Sequence, residues 1–186
     1  MIKALDFEGK GTASDVLTGI QWVADNYKKY NIRILNMSIG AGITNTKDPL
    51  VRAAEILWDM GIVVVAAAGN NGPQKGTISS PGISKKIITV GSVDDINVPE
   101  NDIGKSYSGR GPTKECVIKP DVVAPGTNII SCLCEDNKNN NYYKSLSGTS
   151  MSTPIVSGAI ALLLEKAPNL KPDDIKFMLK QSCHNL

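Results

Sequence analysis

The sequence predicts an α/β fold in which a mostly parallel sheet carries helices on both faces. Short runs rich in β-branched residues alternate with segments of helical periodicity, an order that is typical of strands joined by helical crossovers. The runs are apolar almost throughout, which indicates strands that are covered on both faces. Right-handed crossovers then place helices on both sides of the sheet, and a ligand site at the carboxyl ends of the strands.

The first two helices are predicted from apolar spacing and from end signals. Apolar residues recur at intervals of three or four after Ser14, which is the expected N-cap of a helix ending near Lys29. In the second helix Asp48 is the expected N-cap, Pro49 takes the first helical position and Gly61 is the terminator. The second segment therefore carries a complete set of helix signals.

Three strands are expected over residues 32–39, 62–68 and 86–93, where the apolar runs lie. The middle of the chain, residues 72–128, is rich in Gly, Pro, Ser and Asp and reads as loops around short strands. The polar tract at residues 135–141 predicts an exposed turn. No linker divides the chain, and no internal repeat is visible.

Two further helices are expected in the last third of the chain. Residues 155–164 are apolar nearly all round, so this helix should be buried. Pro154 is tolerated only in a first turn, which predicts a helix start close to Ser150. The last helix begins at Pro172 and has one apolar face, as expected of an amphipathic surface helix.

Length and composition indicate one compact domain over residues 1–186. The hydrophobic fraction is 41%, and 20 Lys and Arg against 18 Asp and Glu give a net charge of only +2, without a basic stripe, so nucleic acid is not an expected partner. The apolar runs fall short of the roughly 20 residues of a membrane span, and the N-terminus lacks the pattern of a signal peptide. The compartment therefore cannot be deduced from the sequence.

The cysteines do not predict a metal site. Cys132 and Cys134 form the only close pair, whereas Cys116 and Cys183 are isolated and His184 is the only histidine. A zinc site would need a second pair or matching histidines. Buried or partly buried free thiols are the expected state of these residues.

Ser150 is the first candidate for chemistry, because it stands at a helix start directly after Gly148 and Thr149. Unpaired backbone N–H groups and the positive end of the helix dipole stabilise negative charge that develops there, which suits acyl transfer. Serine at such a position also serves as an ordinary helix cap. The local sequence alone favours the cap.

Two other segments are candidates, each with an ordinary structural alternative. Asn70 follows a buried strand and could aim its amide N–H at a developing oxyanion, but Gly-Asn sequences also form turns. Ser38, Ile39 and Gly40 follow an earlier strand and could offer backbone groups to an extended peptide, or could be simply core strand and loop.

Taken in order, these segments resemble the subtilisin-like serine proteases. The blocks that carry the resemblance are "LNMSIG", "VVVAAAGNNGP", "YSGRGP", "KPDVVAPG" and "SLSGTSMSTPIVSGAIALLLEKAPNL", and the opening "IKALDFEGKGTASDVLTGIQWV" is similar to the segment that follows the family's catalytic histidine block. The resemblance covers essentially the whole chain and identifies it with the C-terminal part of that catalytic domain.

The resemblance implies catalytic roles for Ser150 as nucleophile and Asn70 as oxyanion donor, the latter helped by the backbone N–H of Ser150. Two backbone segments would line the substrate pocket, and their residues are Ser38, Ile39, Gly40, Ala67, Ala68 and Gly69. Small residues along such a pocket would favour broad or apolar specificity. The chemistry would need no cofactor. A structural calcium ion fits the resemblance, although no acidic cluster identifies its ligands and Asp94, Asp95 and Asp102 read as loop surface.

The chain departs from the family at two motifs, because neither the catalytic aspartate block nor the His-Gly-Thr block is present. Asp6 and His184 stand at positions that do not match them. We therefore expect a fragment that lacks its N-terminal strands and catalytic segment, is nearly inactive alone, and has an exposed apolar sheet edge through which a homodimer could form. A catalytically inactive relative, or a module that binds peptides, is the alternative.

Overall fold

The computed structural model describes residues 1–42, 47–93, 106–133 and 142–184. Its elements, in chain order, are α1 (Ala13–Asn26), β1 (Ile34–Met37), α2 (Pro49–Asp59), β2 (Val63–Ala67), β3 (Ile88–Ser92), β4 (Val122–Ala124), β5 (Ile129–Cys132), β6 (Tyr143–Leu146), α3 (Thr149–Lys166) and α4 (Pro172–Ser182).

The main sheet contains four strands in the order β1-β2-β3-β4, and every neighbouring pair is parallel. All residues of β2 are buried, and because successive residues on a strand face opposite sides, both faces of the sheet are covered there. The helices that contact β2 are α2, α3 and α4. The predicted α/β fold with a parallel sheet is thus confirmed, and β1 lies at one edge of that sheet. A separate antiparallel ribbon, β5-β6, was not predicted.

The N-cap of helix α1 lies two residues before the predicted one. Thr12 is the N-cap: the backbone N–H of Asp15 donates to Thr12 Oγ1 at 3.2 Å, and the backbone N–H of Thr12 donates to Asp15 Oδ2 at 2.8 Å. This capping box satisfies two N–H groups that a cap at Ser14 would have left unpaired. The helix also ends at Asn26, short of the expected Lys29. Helix α2 begins at Pro49 with Asp48 as its N-cap, as predicted.

Helix α3 is not buried all round, contrary to the prediction. It packs on the sheet through Val156, Ile160 and Leu164, which are spaced by one turn, whereas the side chains of Ile155 and Leu162 are 41% and 69% exposed. An apolar composition is a necessary condition for burial, but coverage depends on which elements surround the helix. The start of α3 at Thr149 also places Pro154 in its second turn, one turn deeper than predicted.

The thiols that the structure describes are exposed rather than buried. Cys116, Cys132 and Cys183 are free and lie on the surface, because they fall in loops, on the outer ribbon and after α4. Cys134, the polar tract at 135–141 and the three loop aspartates named above lie outside the described residues. In the described ranges no three potential ligand side chains cluster, and no helix there is long and apolar enough to cross a membrane.

Candidate active site

The candidate residues meet at the carboxyl edge of the main sheet. β1 and β2 run parallel, with Met37 opposite Ala66, so that the segments following them, residues 38–40 and 68–70, leave the sheet at the same edge. The amino end of α3, which comes much later in the sequence, lies at the same edge, where Thr149 bonds to Asn70 and Ser150 bonds to Ser38. Three segments far apart in sequence therefore converge on one place.

Thr149 joins two of these segments. Its backbone N–H and its Oγ1 both donate to Asn70 Oδ1, each at 3.0 Å, and its Oγ1 accepts from the backbone N–H of Gly69 at 3.1 Å. Thr149 is fully buried. These bonds fix the Asn70 side chain against the first residue of α3, with its Nδ2 free of hydrogen bonds among the described residues.

Ser150 lies at the second position of α3, where the helix dipole is positive. Its Oγ donates to the backbone carbonyl of Ser38 at 3.0 Å, and its side chain is partly exposed. The N-cap is Gly148, which has no side chain to occupy the N–H groups of the first turn. Its φ of +152° and the 3.1 Å that would separate a Cβ from Asn70 Nδ2 explain why glycine stands here.

A groove of about 340 Å³ opens in front of these groups. It brings together the two catalytic candidates, four of the predicted pocket residues and five further residues; its lining is Ile39, Gly40, Ala41, Gly42, Ala67, Gly69, Asn70, Asn71, Ser79, Thr149 and Ser150. Ser38 contributes through its carbonyl. Most of the lining is backbone and small side chains.

Two predicted pocket residues are not part of this lining: Ser38, which takes part only through its carbonyl, and Ala68. Ala68 is fully buried, its N–H donates to Val90 at 2.9 Å, and its carbonyl accepts from Ser79 at 2.9 Å. Both of its backbone groups are therefore used within the sheet and its flank.

Sequence reasoning missed Ser79 as a part of the groove. Its side chain lies between the two backbone segments: a Cβ on Gly69 would be 2.1 Å from Ser79 Oγ, and a Cβ on Gly40 would be 3.2 Å from Ser79 Cβ. Asn71 Nδ2 donates to Ser79 Oγ at 3.2 Å. Nothing in the local sequence "ISSPG" signals this placement, because the contact arises from tertiary packing.

No residue in the described lining of the groove carries an acidic or basic side chain. Asp6 is exposed in a loop, where its Oδ1 accepts from the N–H groups of Glu8 and Lys10 at 2.9 Å each. His184 is exposed beyond the end of α4. Both residues lie outside the groove lining, so the groove as described holds a hydroxyl, an amide and a helix terminus, but no base.

Comparison with known proteins agrees with this arrangement. The profile of the subtilase family matches residues 1–186. The serine protease AprX of Bacillus subtilis (strain 168) is 43% identical over 96% of this chain, and subtilisin DY of Bacillus licheniformis is 36% identical over all of it. The chain spans 45% and 60% of the length of these two relatives, respectively.

Solved structures lead to the same family. Sphericase superposes with a TM-score of 0.76 at 29% identity, and a cold adapted subtilisin-like serine proteinase with 0.72 at 31%. Each alignment covers 95% of this chain and 57% of the other chain. With its parallel sheet and the family profile matched along its full length, this chain belongs to the subtilase family of serine proteases.

Proposed function

We propose that these residues form the nucleophile half of a serine endopeptidase site, with Ser150 as the nucleophile. The observation that carries the proposal is the pair of hydrogen bonds from Thr149 to Asn70 Oδ1, which sets an amide donor beside a serine at a helix N-terminus. Such donors act because they are held in place before charge develops.

The reaction follows from the positions of these groups. Ser150 Oγ attacks the carbonyl carbon of a peptide bond, its proton leaves to a base, and the carbonyl oxygen becomes an oxyanion. The Nδ2 group of Asn70 and the backbone N–H of Ser150 donate to that oxyanion. The tetrahedral intermediate expels the amine, which takes up the proton, and water then hydrolyses the ester on Ser150.

The peptide substrate is proposed to lie along residues 38–40 and Gly69, with a side chain in the groove. The small residues of the groove accept a range of apolar side chains, and Ser79 at its inner end limits their length. An extended peptide can bind by main-chain hydrogen bonds to an exposed backbone segment, which supports placing the substrate along residues 38–40 and Gly69. Ala68 has no part in it, because its backbone is already paired.

The base is proposed to come from sequence outside these 186 residues, together with the carboxylate that orients it. Among the residues that the structure describes, the Ser150 hydroxyl donates to the Ser38 carbonyl alone, which cannot take a proton at neutral pH. In subtilisin, a member of this family, loss of the serine or the histidine alone lowers turnover about 2 × 10⁶-fold. The chain by itself is therefore expected to hydrolyse peptides at close to the background rate.

A fluorophosphonate probe tests the proposal. The chain would be compared with a polypeptide in which the part of AprX that precedes its matching segment is joined before residue 1. We expect mass spectrometry to find the probe on Ser150 of the longer polypeptide, with Ser150→Ala unlabelled and the chain alone labelled far more slowly. Labelling at another residue, or at none, would contradict the proposed nucleophile.

Asn70→Ala in the longer polypeptide tests the oxyanion donor. Loss of one such donor lowers kcat about 10²–10³-fold. Asn71→Ala is the matched control, because the neighbouring asparagine donates to Ser79 rather than facing Gly148. Equal losses in the two variants would show that the effect is structural and not a matter of oxyanion binding.

One observation favours a second function, a peptide-binding module without catalysis: the described lining of the groove has no base. In that case the longer polypeptide would bind peptides, measured by calorimetry, while Ser150 stays unlabelled.

The base-carrying segment is proposed to pack beside β1 and α3. β1 is an edge strand of the described sheet, and Asn36 on it accepts from Ser157 Oγ of α3 at 2.9 Å. On its other face α3 leaves Ile155 and Leu162 exposed. A homodimer through the same edge is the competing arrangement. Sedimentation of the chain alone and of the longer polypeptide distinguishes them: a dimer that persists in the longer polypeptide would contradict docking of that segment.

A further inference from the structure

A second polar cluster lies at the amino edge of the main sheet, on the side opposite the groove. The Lys176 ammonium, on α4, donates to the backbone carbonyls of Lys85, Lys86 and Ile87 at 2.8, 2.9 and 3.1 Å. It also lies 3.1 Å from Asp121 Oδ1. Four oxygen atoms from two loops therefore surround one ammonium nitrogen.

A second ammonium completes the cluster. Lys119 Nζ donates to the Ile87 carbonyl and to Thr89 Oγ1, each at 2.9 Å, and to Asp121 Oδ2. The side chains of Lys119 and Asp121 are 1% and 4% exposed. The Ile87 carbonyl serves both cations, and the two oxygens of Asp121 are divided between them.

Carbonyl, hydroxyl and carboxylate oxygens are the donors that hard cations bind in proteins. Here the oxygens converge on nitrogen instead of metal. If the ammonium groups were removed, three carbonyls and a buried carboxylate would face one another without a compensating charge, which is costly. The cluster thus has the donor set of a structural cation site in which the cation belongs to the chain.

We propose that Lys176 is the resident cation of an oxygen-lined site, and that its removal turns the same site into one for a free monovalent metal ion. The charge argues for a monovalent ion. Lys119 would still pair with the other oxygen of Asp121. One added positive charge therefore restores the net charge of the cluster, whereas a divalent ion would add repulsion with the Lys119 ammonium. K⁺ matches an ammonium group in size and in its preference for oxygen.

The site is also within reach of an ion from solution. The side chain of Lys176 is 16% exposed, whereas that of Lys119 is buried. Methionine at position 176 would keep an unbranched chain on α4 while leaving the oxygens unsatisfied. The native protein, with its own ammonium in place, should be indifferent to the identity of the salt.

The test compares thermal unfolding of the wild type, Lys176→Met and Lys180→Met in KCl, NaCl, CaCl₂ and tetramethylammonium chloride at equal ionic strength. Lys180, also on α4, is exposed and serves as the matched control. Tetramethylammonium is too large for the site. We expect Lys176→Met to have the lowest Tm in tetramethylammonium and to gain about 2 °C or more in KCl, rising with the logarithm of K⁺ concentration.

Three results would overturn the proposal. One is a Tm of Lys176→Met that is the same in KCl and tetramethylammonium; another is a wild-type Tm that rises with K⁺ as much as that of the variant. Greater stabilisation by Ca²⁺ than by K⁺ would refute the monovalent assignment. If the variant unfolds in every salt, NMR of the wild type decides, because Nζ protons of Lys176 that exchange as fast as those of Lys180 exclude an enclosed ammonium.

Discussion

Lys119→Met should change how the stability of the fold depends on pH. Burial lowers the pKa of the Lys119 ammonium from 10.5 to about 8, and the opposing attraction of Asp121 is too weak to restore it. The charged groups that face Lys119 are Asp121, from the segment before β4, and Lys176, from α4, the latter lowering the pKa further. Methionine at position 119 removes this titration.

The direction follows from proton counts in the two states. Below about pH 8 both folded and unfolded Lys119 hold a proton, so that the group adds no slope. Between about 8 and 10.5 the folded form has lost its proton while the unfolded form keeps it, and stability therefore rises with pH. A difference of about 2.5 pH units corresponds to about 3 kcal/mol.

Urea unfolding at a series of pH values would measure this effect. The free energy of unfolding of the wild type minus that of Lys119→Met should be flat up to about pH 8 and should then increase by about 3 kcal/mol by pH 10.5. Lys114→Met, at an exposed lysine, is the control. A difference that stays flat across the window, or a ¹³Cε titration of Lys119 with its midpoint at 10.5, would refute the reasoning.

Four further substitutions test packing and helix capping. Ser152→Ala should raise the free energy of unfolding by about 1 kcal/mol, because its buried Oγ has no partner among the described residues; a loss in urea unfolding would contradict this. Gly126→Ala should lower the free energy of unfolding by about 1–3 kcal/mol, since its Cβ would lie 2.2 Å from Ser152 Oγ. Gly158→Ala, in open space on α3, should raise the free energy of unfolding by about 1 kcal/mol in the same assay. Thr12→Ala should lower the thermal midpoint by removing about 1 kcal/mol of capping; an unchanged midpoint would argue against the capping box.

The sequence was most informative where a local signal coincides with burial. β2 could be predicted because its run is apolar without alternation, and α2 because Asp48 and Pro49 mark its start. The local sequence predicted the roles of Ser150 and Asn70 less strongly, since a serine at a helix start and an asparagine after a strand both have ordinary structural uses. Their order along the chain, compared with a known family, raised them above those uses.

The contacts that hold the candidate site and the cation cluster could not be predicted in the same way. Thr149 looked merely small, and its hydrogen bonds to Asn70 span 79 positions of the chain. Lys119 falls in the segment predicted as loops around short strands, and no local signal marks its side chain, which is 1% exposed, as buried. Such roles depend on which segments the tertiary fold brings together, and neither periodicity nor spacing carries that information.

The hydrogen bonds of the candidate site also bear on how the protein folds. Thr149 meets Asn70 across 79 positions and Ser150 meets Ser38 across 112, so that no local element contains both Ser150 and the Asn70 amide. Contacts of such separation form only after long chain segments have closed, which is slow compared with helix formation. A nascent or partly folded chain can therefore possess every helix and still have no reactive serine. If Ser150 is the nucleophile as proposed, this delay would keep it inactive while neighbouring chains are still unfolded and open to cleavage.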